Sequence, residues 1–188
     1  MRTTTTGILI GFMLAVLVGQ VAAPPQPDLQ RPEPTASESG IDLHFSPNGG
    51  AAEAVIHEIR QAHESILVAA YAFTSAPIAE ALLRARDRGV EVVVIMDRLQ
   101  RTNQYSSSTF FVNQGIPVYI AVGPASYHHK VMLIDDGVII TGSMNFTKAG
   151  DERNAENLLI IRDKPELMKA YTERIEVDLD RAERLESE

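Results

Sequence analysis

The sequence predicts an α/β domain, a mixed β-sheet sandwiched by α-helices. Three observations lead there. Two strand-helix-strand passages follow one another between residues 41 and 97, the order that builds layered α/β folds. Two of the strand segments, Ile66 to Phe73 and Val90 to Asp97, are apolar nearly throughout, as strands covered on both faces are. The chain has 188 residues and is 45% apolar, enough for one domain with a well-buried core.

Taken in order, Ile41 to Phe45 reads as a short strand, broken by Ser46-Pro47-Asn48-Gly49-Gly50 before a helix with Val55, Ile56 and Ile59 on one face. Ile66 to Phe73 is the next strand. A helix from about Ala76 buries Ile78, Leu82 and Ala85, with Gly89 as its stop. After Val90 to Asp97, residues Arg98 to Ser108 form a polar loop at a strand end where open α/β sheets place ligands. Arg98 and Arg101 there are either phosphate contacts or solvated loop arginines. Tyr105 is a candidate for base stacking; Phe110 and Phe111 enter a helical segment ending at Gly115 and are assigned to the core. Ile116 to Ala121 is a strand, a hairpin follows, and Ala155 to Arg162 is the last strand. Asp163-Lys164-Pro165-Glu166 then reads as an N-cap Asp with Pro in the first turn, opening a helix with Leu167, Met168, Tyr171 and Ile175 as its apolar stripe.

The ends differ from the domain. Residues 1–23 carry Arg2, an apolar run and Ala22-Ala23, the pattern of a secretory signal. The run from Gly7 to Ala23 is 17 residues long and includes Gln20, short of the roughly 20 apolar residues of a membrane span. Pro24 after Ala23 would hinder cleavage, so a retained N-terminal anchor is the alternative. The expected localisation is periplasmic or secreted, with membrane attachment only if this segment is kept. Residues 24–40 read as a Pro-rich disordered linker, residues 41–178 as the domain, and 179–188 as a charged tail that is solvated and frays. The absence of cysteine excludes disulfides and Cys-based zinc sites. Net charge is −8, but the linker and residues 173–188 contribute −2 and −4 of it. Exposed charges beyond a Debye length of about 8 Å are screened, so local cations outweigh the total. The lack of a basic stripe argues against tight sequence-specific binding of nucleic acid.

The segment from Tyr127 to Asn157 carries the chemistry. At a period of two, His128 and Lys130 point to one face while His129, Val131 and Leu133 point to the other. A ring able to act as nucleophile thus stands beside a fixed cation. Asp135-Asp136-Gly137 supplies turn residues, and Val138 to Thr141 returns as a strand, bringing Gly142, Ser143 and Asn145 back toward the start of the hairpin. His129 faces away from the chemistry and is packed or exposed; His44, His57 and His63 show no ligand spacing.

This arrangement resembles the signature of the phospholipase D superfamily, H-x-K-x4-D followed after six residues by G-S-x-N, here His128, Lys130, Asp135, Gly142, Ser143 and Asn145. With Asn154-x-Glu156-Asn157 downstream, the chain from about Ile41 to Arg174 looks like the small, single-motif bacterial endonucleases of that superfamily. The resemblance implies a phospholipase D-like fold with His128 as the nucleophile that forms a covalent phosphohistidine and Glu156 as the group that orients it. Lys130, Asn145 and Ser143 would hold the phosphate oxygens, a role whose value lies in preorganised charge. The resemblance places Asp135 with His128, Lys130 and Glu156 among the catalytic residues, although its place after the strand also suits fixing the turn or bridging subunits through hydrogen bonds. One motif supplies one histidine, and no second H-x-K occurs in the chain. The resemblance therefore implies a homodimer in which His128 of a second copy is the general acid, a contribution typically of about 10²- to 10⁴-fold. No cofactor and no metal are implied, since Lys130 and its mate take the place of a cation.

The expected activity is metal-independent, sequence-nonspecific cleavage of DNA and possibly RNA. The other readings are a lipid phosphodiesterase at a membrane surface and a dimeric binding module without turnover.

Overall fold

The computed structural model describes residues 40–102 and 106–186. The expected signal or anchor, the linker and Tyr105 lie outside the described residues. Eight strands, β1 (Ile41–Ser46), β2 (Ser65–Ala70), β3 (Glu91–Met96), β4 (Val118–Ile120), β5 (Lys130–Ile134), β6 (Val138–Gly142), β7 (Glu156–Arg162) and β8 (Glu183–Arg184), form one sheet in the order β1-β7-β6-β5-β2-β3-β4-β8. Strands β2, β3 and β4 are mutually parallel and every other pairing is antiparallel. The mixed sheet is the one expected.

Helices cover both faces. On one face α1 (Ala51–Gln61) and α2 (Ala76–Asp87) bury Val55, Ile59, Ile78, Leu82 and Ala85 against Ile66, Val68, Val94 and Met132. The short α3 (Ser108–Asn113) adds Phe111 to the same core. On the other face α5 (Pro165–Leu179) lays Met168 and Ile175 over Ala69, Ile95, Val131 and Leu133. The remaining helix, α4 (Lys148–Glu152), follows the hairpin, and Thr147 caps it by accepting from Gly150 N at 3.0 Å. Burying one large aliphatic side chain contributes roughly 1.5–3 kcal/mol, so these two apolar layers carry the stability of the sheet.

Four local expectations are corrected. Phe110 is 40% exposed while Phe111 is fully buried, because a helix of six residues turns successive side chains about 100° apart and only one can face the sheet. Asp163 does not cap α5: it takes a left-handed φ of 56° in the turn, and Lys164 occupies the capping position without a side-chain bond. The polar face read for the hairpin strand ends at Lys130: β5 is buried on both faces over its whole length, because it sits mid-sheet between β6 and β2 with helices above and below. Finally, the tail beyond Leu179 does not fray. It returns as β8 against β4, donating from Leu185 N to Val118 O at 2.8 Å, and Glu183 pairs with Arg101. The charged residues of the tail are exposed because they edge the sheet, while Leu185 packs against the core.

The tail therefore protects an otherwise open sheet edge. Deleting residues 180–188 should lower Tm by about 3–6 °C, on the order of 1–2 kcal/mol for a domain of this size, measurable by calorimetry; an unchanged Tm would show that β8 is dispensable.

Candidate active site

Topology brings the polar residues together. Because β5 runs antiparallel to β2, its first residue, Lys130, lies beside Ala70, the last residue of β2. The end of β6 and the start of β7 fall at the same edge, with Gly142 opposite Leu158. This is the carboxyl end of the parallel strands, the usual binding edge of open α/β sheets.

The backbone around His128 is pinned on both sides. Asp97, at the end of β3 and 2% exposed, accepts from Tyr127 N at 2.6 Å with one oxygen and from Leu99 N at 2.9 Å with the other. On the far side Tyr71 N donates to His129 O at 2.7 Å. The imidazole itself projects into the open while the peptide units flanking it are fixed. Its ring centroid lies 4.4 Å from that of Tyr71.

Lys130 is 8% exposed. Its Nζ lies 3.1 and 3.3 Å from the two ring nitrogens of His128, donates to His128 O at 3.2 Å, and stands 5.0 Å from the centre of the Tyr71 ring. An ammonium only donates, so a ring nitrogen that pairs with it accepts, the state a nucleophile needs. Burial pushes the Lys130 pKa below its ordinary value, and the nearby Glu156 carboxylate partly restores it.

Gly142 makes the second half of the site possible. Its φ is 152°, and a Cβ there would fall 2.3 Å from Asn157 O. That close approach lets Ser143 N and Met144 N donate to Asn157 O at 3.1 and 3.3 Å. Ser143 Oγ in turn donates to Glu156 Oε2 at 2.6 Å and accepts from Asn157 N at 3.0 Å, while Asn154 Nδ2 donates to Glu156 Oε1 at 3.0 Å. The Oδ1 atom of Asn145 is buried without a hydrogen-bond partner among the described residues.

His128, Lys130, Ser143, Asn145 and Glu156 thus share one edge. Two features differ from expectation. Glu156 accepts from Ser143 and Asn154, and among the described residues it makes no bond to His128, so the expected orientation of His128 by Glu156 is not made in this arrangement of the chain. Asp135 is not brought to the site: five residue steps along the strand, about 16 Å at 3.3 Å each, separate it from Lys130. Its oxygens accept from His63 N, Glu64 N and Ser65 N at 2.7, 2.8 and 2.9 Å. With φ of 50° it turns the hairpin and ties it to the loop before β2. Arg101 is engaged by Glu183, and Arg98 is exposed on the same loop. Sequence reasoning missed Asp97 and Tyr71. Both lie at strand ends, next to the loops where ligands bind, and that position was the available signal.

Residues 55–179 match the family described as cardiolipin synthase, PLD-like domain. The chain belongs to the phospholipase D superfamily. A phospholipase D of Rickettsia conorii is 39% identical over 135 residues, covering 72% of this chain and 67% of that protein. The mitochondrial cardiolipin hydrolase of Homo sapiens is 30% identical over 131 residues, 69% of this chain and 52% of that one. Among solved structures, Nuc from Salmonella typhimurium, a phospholipase D family member, superposes with a TM-score of 0.75 at 32% identity over 78% of this chain and 98% of its own. NucT from Helicobacter pylori gives 0.70 at 26% identity, over 76% and 96%. This superfamily member is accordingly a phosphodiesterase with the α/β fold of Nuc.

The placement of Asp135 generates a test. Burial works to raise its pKa, but the three backbone N–H donors outweigh that and hold it below the ordinary carboxylate value. A depressed pKa stabilises the fold above pH about 4 and the contribution fades as pH falls through the folded value. Asp135→Ala should therefore cost on the order of 1 kcal/mol at neutral pH through the loss of three backbone bonds, two of whose donors water can reach, with the deficit shrinking in acid. Turnover per folded molecule should be unchanged, and a selective loss of turnover would return Asp135 to the site.

Proposed function

We propose that this phosphodiesterase is a metal-independent, sequence-nonspecific endonuclease that works through a covalent phosphohistidine on His128. The observation that carries the reading is size: the superposition takes in 98% of Nuc and 78% of this chain, about 147 of its 188 residues, which is about the length of the domain from 40 to 186 and leaves little room at the site rim for a segment that encloses an acyl chain. An open edge suits a polymer lying across it. Recognition of phosphate without groups that read bases gives cleavage without sequence preference.

In the proposed mechanism a neutral ring nitrogen of His128 attacks phosphorus while the P–O bond to the leaving alkoxide breaks. Lys130 swings from His128 to a nonbridging oxygen, joined by Asn145 and Ser143, where preorganised donors meet the developing charge. With Lys130 drawn away, Glu156 becomes the acceptor that orients the His128 ring N–H. The leaving oxygen takes its proton from His128 of a second copy, which completes the site by twofold dimerisation. That second imidazole then removes a proton from water, the water attacks phosphorus, and the P–N bond breaks to restore His128. Residues 1–23 support export to the periplasm or beyond, with a retained anchor as the alternative.

A lipid phosphodiester is the second reading. Relatives bear the names phospholipase D and mitochondrial cardiolipin hydrolase, and Phe45, Leu99 and Val122, which are 48%, 57% and 45% exposed, all lie at the site end of the sheet. The same apolar residues suit contact with a second copy.

Plasmid DNA and phosphatidylcholine vesicles, each incubated with the purified protein in EDTA, decide between substrates. Nicking of the plasmid without headgroup release is expected. His128→Ala should lower it on the order of 10³-fold or more while leaving folding and dimerisation intact; activity that vanishes in EDTA and returns with magnesium would reject the mechanism.

The Lys130 cation gives a second test. Its charge is present below its depressed pKa and lost above it, so cleavage should decline at a lower alkaline pH than an ordinary lysine would dictate. Lys130→Arg, weaker but always charged, should flatten that decline in a pH-rate profile.

A further inference from the structure

We propose that Tyr71 is a positioning residue for the covalent step, its ring face holding the His128 imidazole and stabilising the positive charge that ring acquires as it attacks phosphorus. The inference rests on His128 being the nucleophile. Nothing in the superfamily signature includes Tyr71, which stands 57 residues earlier in the chain and follows the last residue of β2.

The geometry is direct. The Tyr71 and His128 ring centroids are 4.4 Å apart with planes inclined at 47°, and the Lys130 ammonium lies 5.0 Å from the Tyr71 centroid. One aromatic face therefore borders both the nucleophile and the cation. Tyr71 is held there by its own backbone bond to His129 O and, two residues on, by Phe73, which is fully buried, bridges to Phe146 and packs edge-on to Phe111 at 5.1 Å. The backbone that carries Tyr71 is thus held in place, and the His128 ring and the Lys130 ammonium border the side chain itself.

The chemistry gives the ring something to do. A neutral imidazole uses one nitrogen lone pair to form the P–N bond as the P–O bond breaks, and the electron pair leaves on the departing oxygen. The imidazole keeps its other N–H, so the adduct is a phosphoimidazolium until water attacks phosphorus and the P–N bond breaks. Positive charge thus appears on the ring only as the reaction proceeds. An aromatic face attracts a cation through its quadrupole, and an attraction stronger in the transition state than in the ground state accelerates the step. The phenol hydroxyl has no part in this, which separates the proposal from hydrogen bonding.

The test uses bis(p-nitrophenyl) phosphate with the full chain, because p-nitrophenolate departs without needing a proton from a second copy. Tyr71→Leu and Tyr71→Met remove the ring and retain bulk, Tyr71→Phe removes only the hydroxyl, and thermal unfolding checks each; two ringless variants guard against one that does not fold. We expect kcat/KM for p-nitrophenolate release to fall roughly tenfold without the ring and to stay within about twofold in Tyr71→Phe. Inhibition by inorganic phosphate, which probes the resting anion site, should change by less than about threefold throughout. Parent-like rates in the folded ringless variants would overturn the proposal. So would an equal loss in Tyr71→Phe, or phosphate inhibition weakened as much as the rate. His128→Ala run alongside separates the two layers: continued p-nitrophenolate release would remove the nucleophile assignment itself, whereas an inactive His128→Ala with an unaffected Tyr71→Leu would remove only the role of Tyr71.

Discussion

The arrangement depends on a buried cation. Lys130 opens a central strand, is almost wholly removed from solvent, and keeps its ammonium beside the His128 ring. Taking an ammonium out of water is unfavourable unless polar groups replace the lost hydration. Here the replacements come from separate parts of the chain: the His128 ring and carbonyl from the strand entry, the Tyr71 face from the end of β2, and the Glu156 charge from the start of β7. An anionic phosphate offers the same cation a stronger partner. At a separation of about 4 Å and an effective dielectric of about 20, the attraction is roughly 4 kcal/mol. Incomplete hydration of Lys130 is thus offset by the elements that the sheet brings to this edge, and under the proposed function it favours a phosphodiester over water as the partner of the ammonium.

The sheet divides its two ends between different tasks. At the carboxyl end of the parallel strands, Asp97 and Tyr71 pin the peptide units flanking His128, and Gly142 brings the polar turn after β6 against Asn157. At the opposite end Asp135 gathers three backbone donors and joins the hairpin to the loop before β2. Asp135 thereby holds the strand in register while Lys130 works from its other end. A one-residue slip of β5 would exchange its faces, placing Lys130 among the side chains under α5. The apolar middle of β5 has layers of different composition on its two sides, and the slip is opposed by both.

The acidic character of the chain does not set the field at the site. Much of the negative charge lies in the linker and in the last sixteen residues. Glu183 of that tail is neutralised by Arg101 on the loop beyond β3, and Asp178 on α5 pairs with Arg174 at 2.6 Å. Beside the His128 ring stands the Lys130 cation, and the Glu156 carboxylate acts on that cation in turn. The field of this half-enclosed cation is little screened, whereas the distant acids act through salt and water.

The amino-acid sequence by itself determined the fold class, the order of the first seven strands and of the long helices among them, and the identity of the polar set around His128. Those features are written in local patterns: apolar runs of strand length, Gly89 at a helix end, and a histidine, lysine, serine and asparagine at fixed offsets. Tertiary structure alone decided which of the motif residues meet, and whom they meet. Asp135 and Lys130 are close in sequence but lie at opposite ends of one strand, because an extended chain advances about 3.3 Å per residue. Tyr71 and Asp97 are remote from His128 in sequence yet stand against its ring and its backbone, because β2 and β3 end at the edge where β5 begins. The return of the tail as β8 was hidden for a related reason. Two strand residues have no periodicity to read, and their place is set by an open sheet edge that exists only once the other seven strands have assembled.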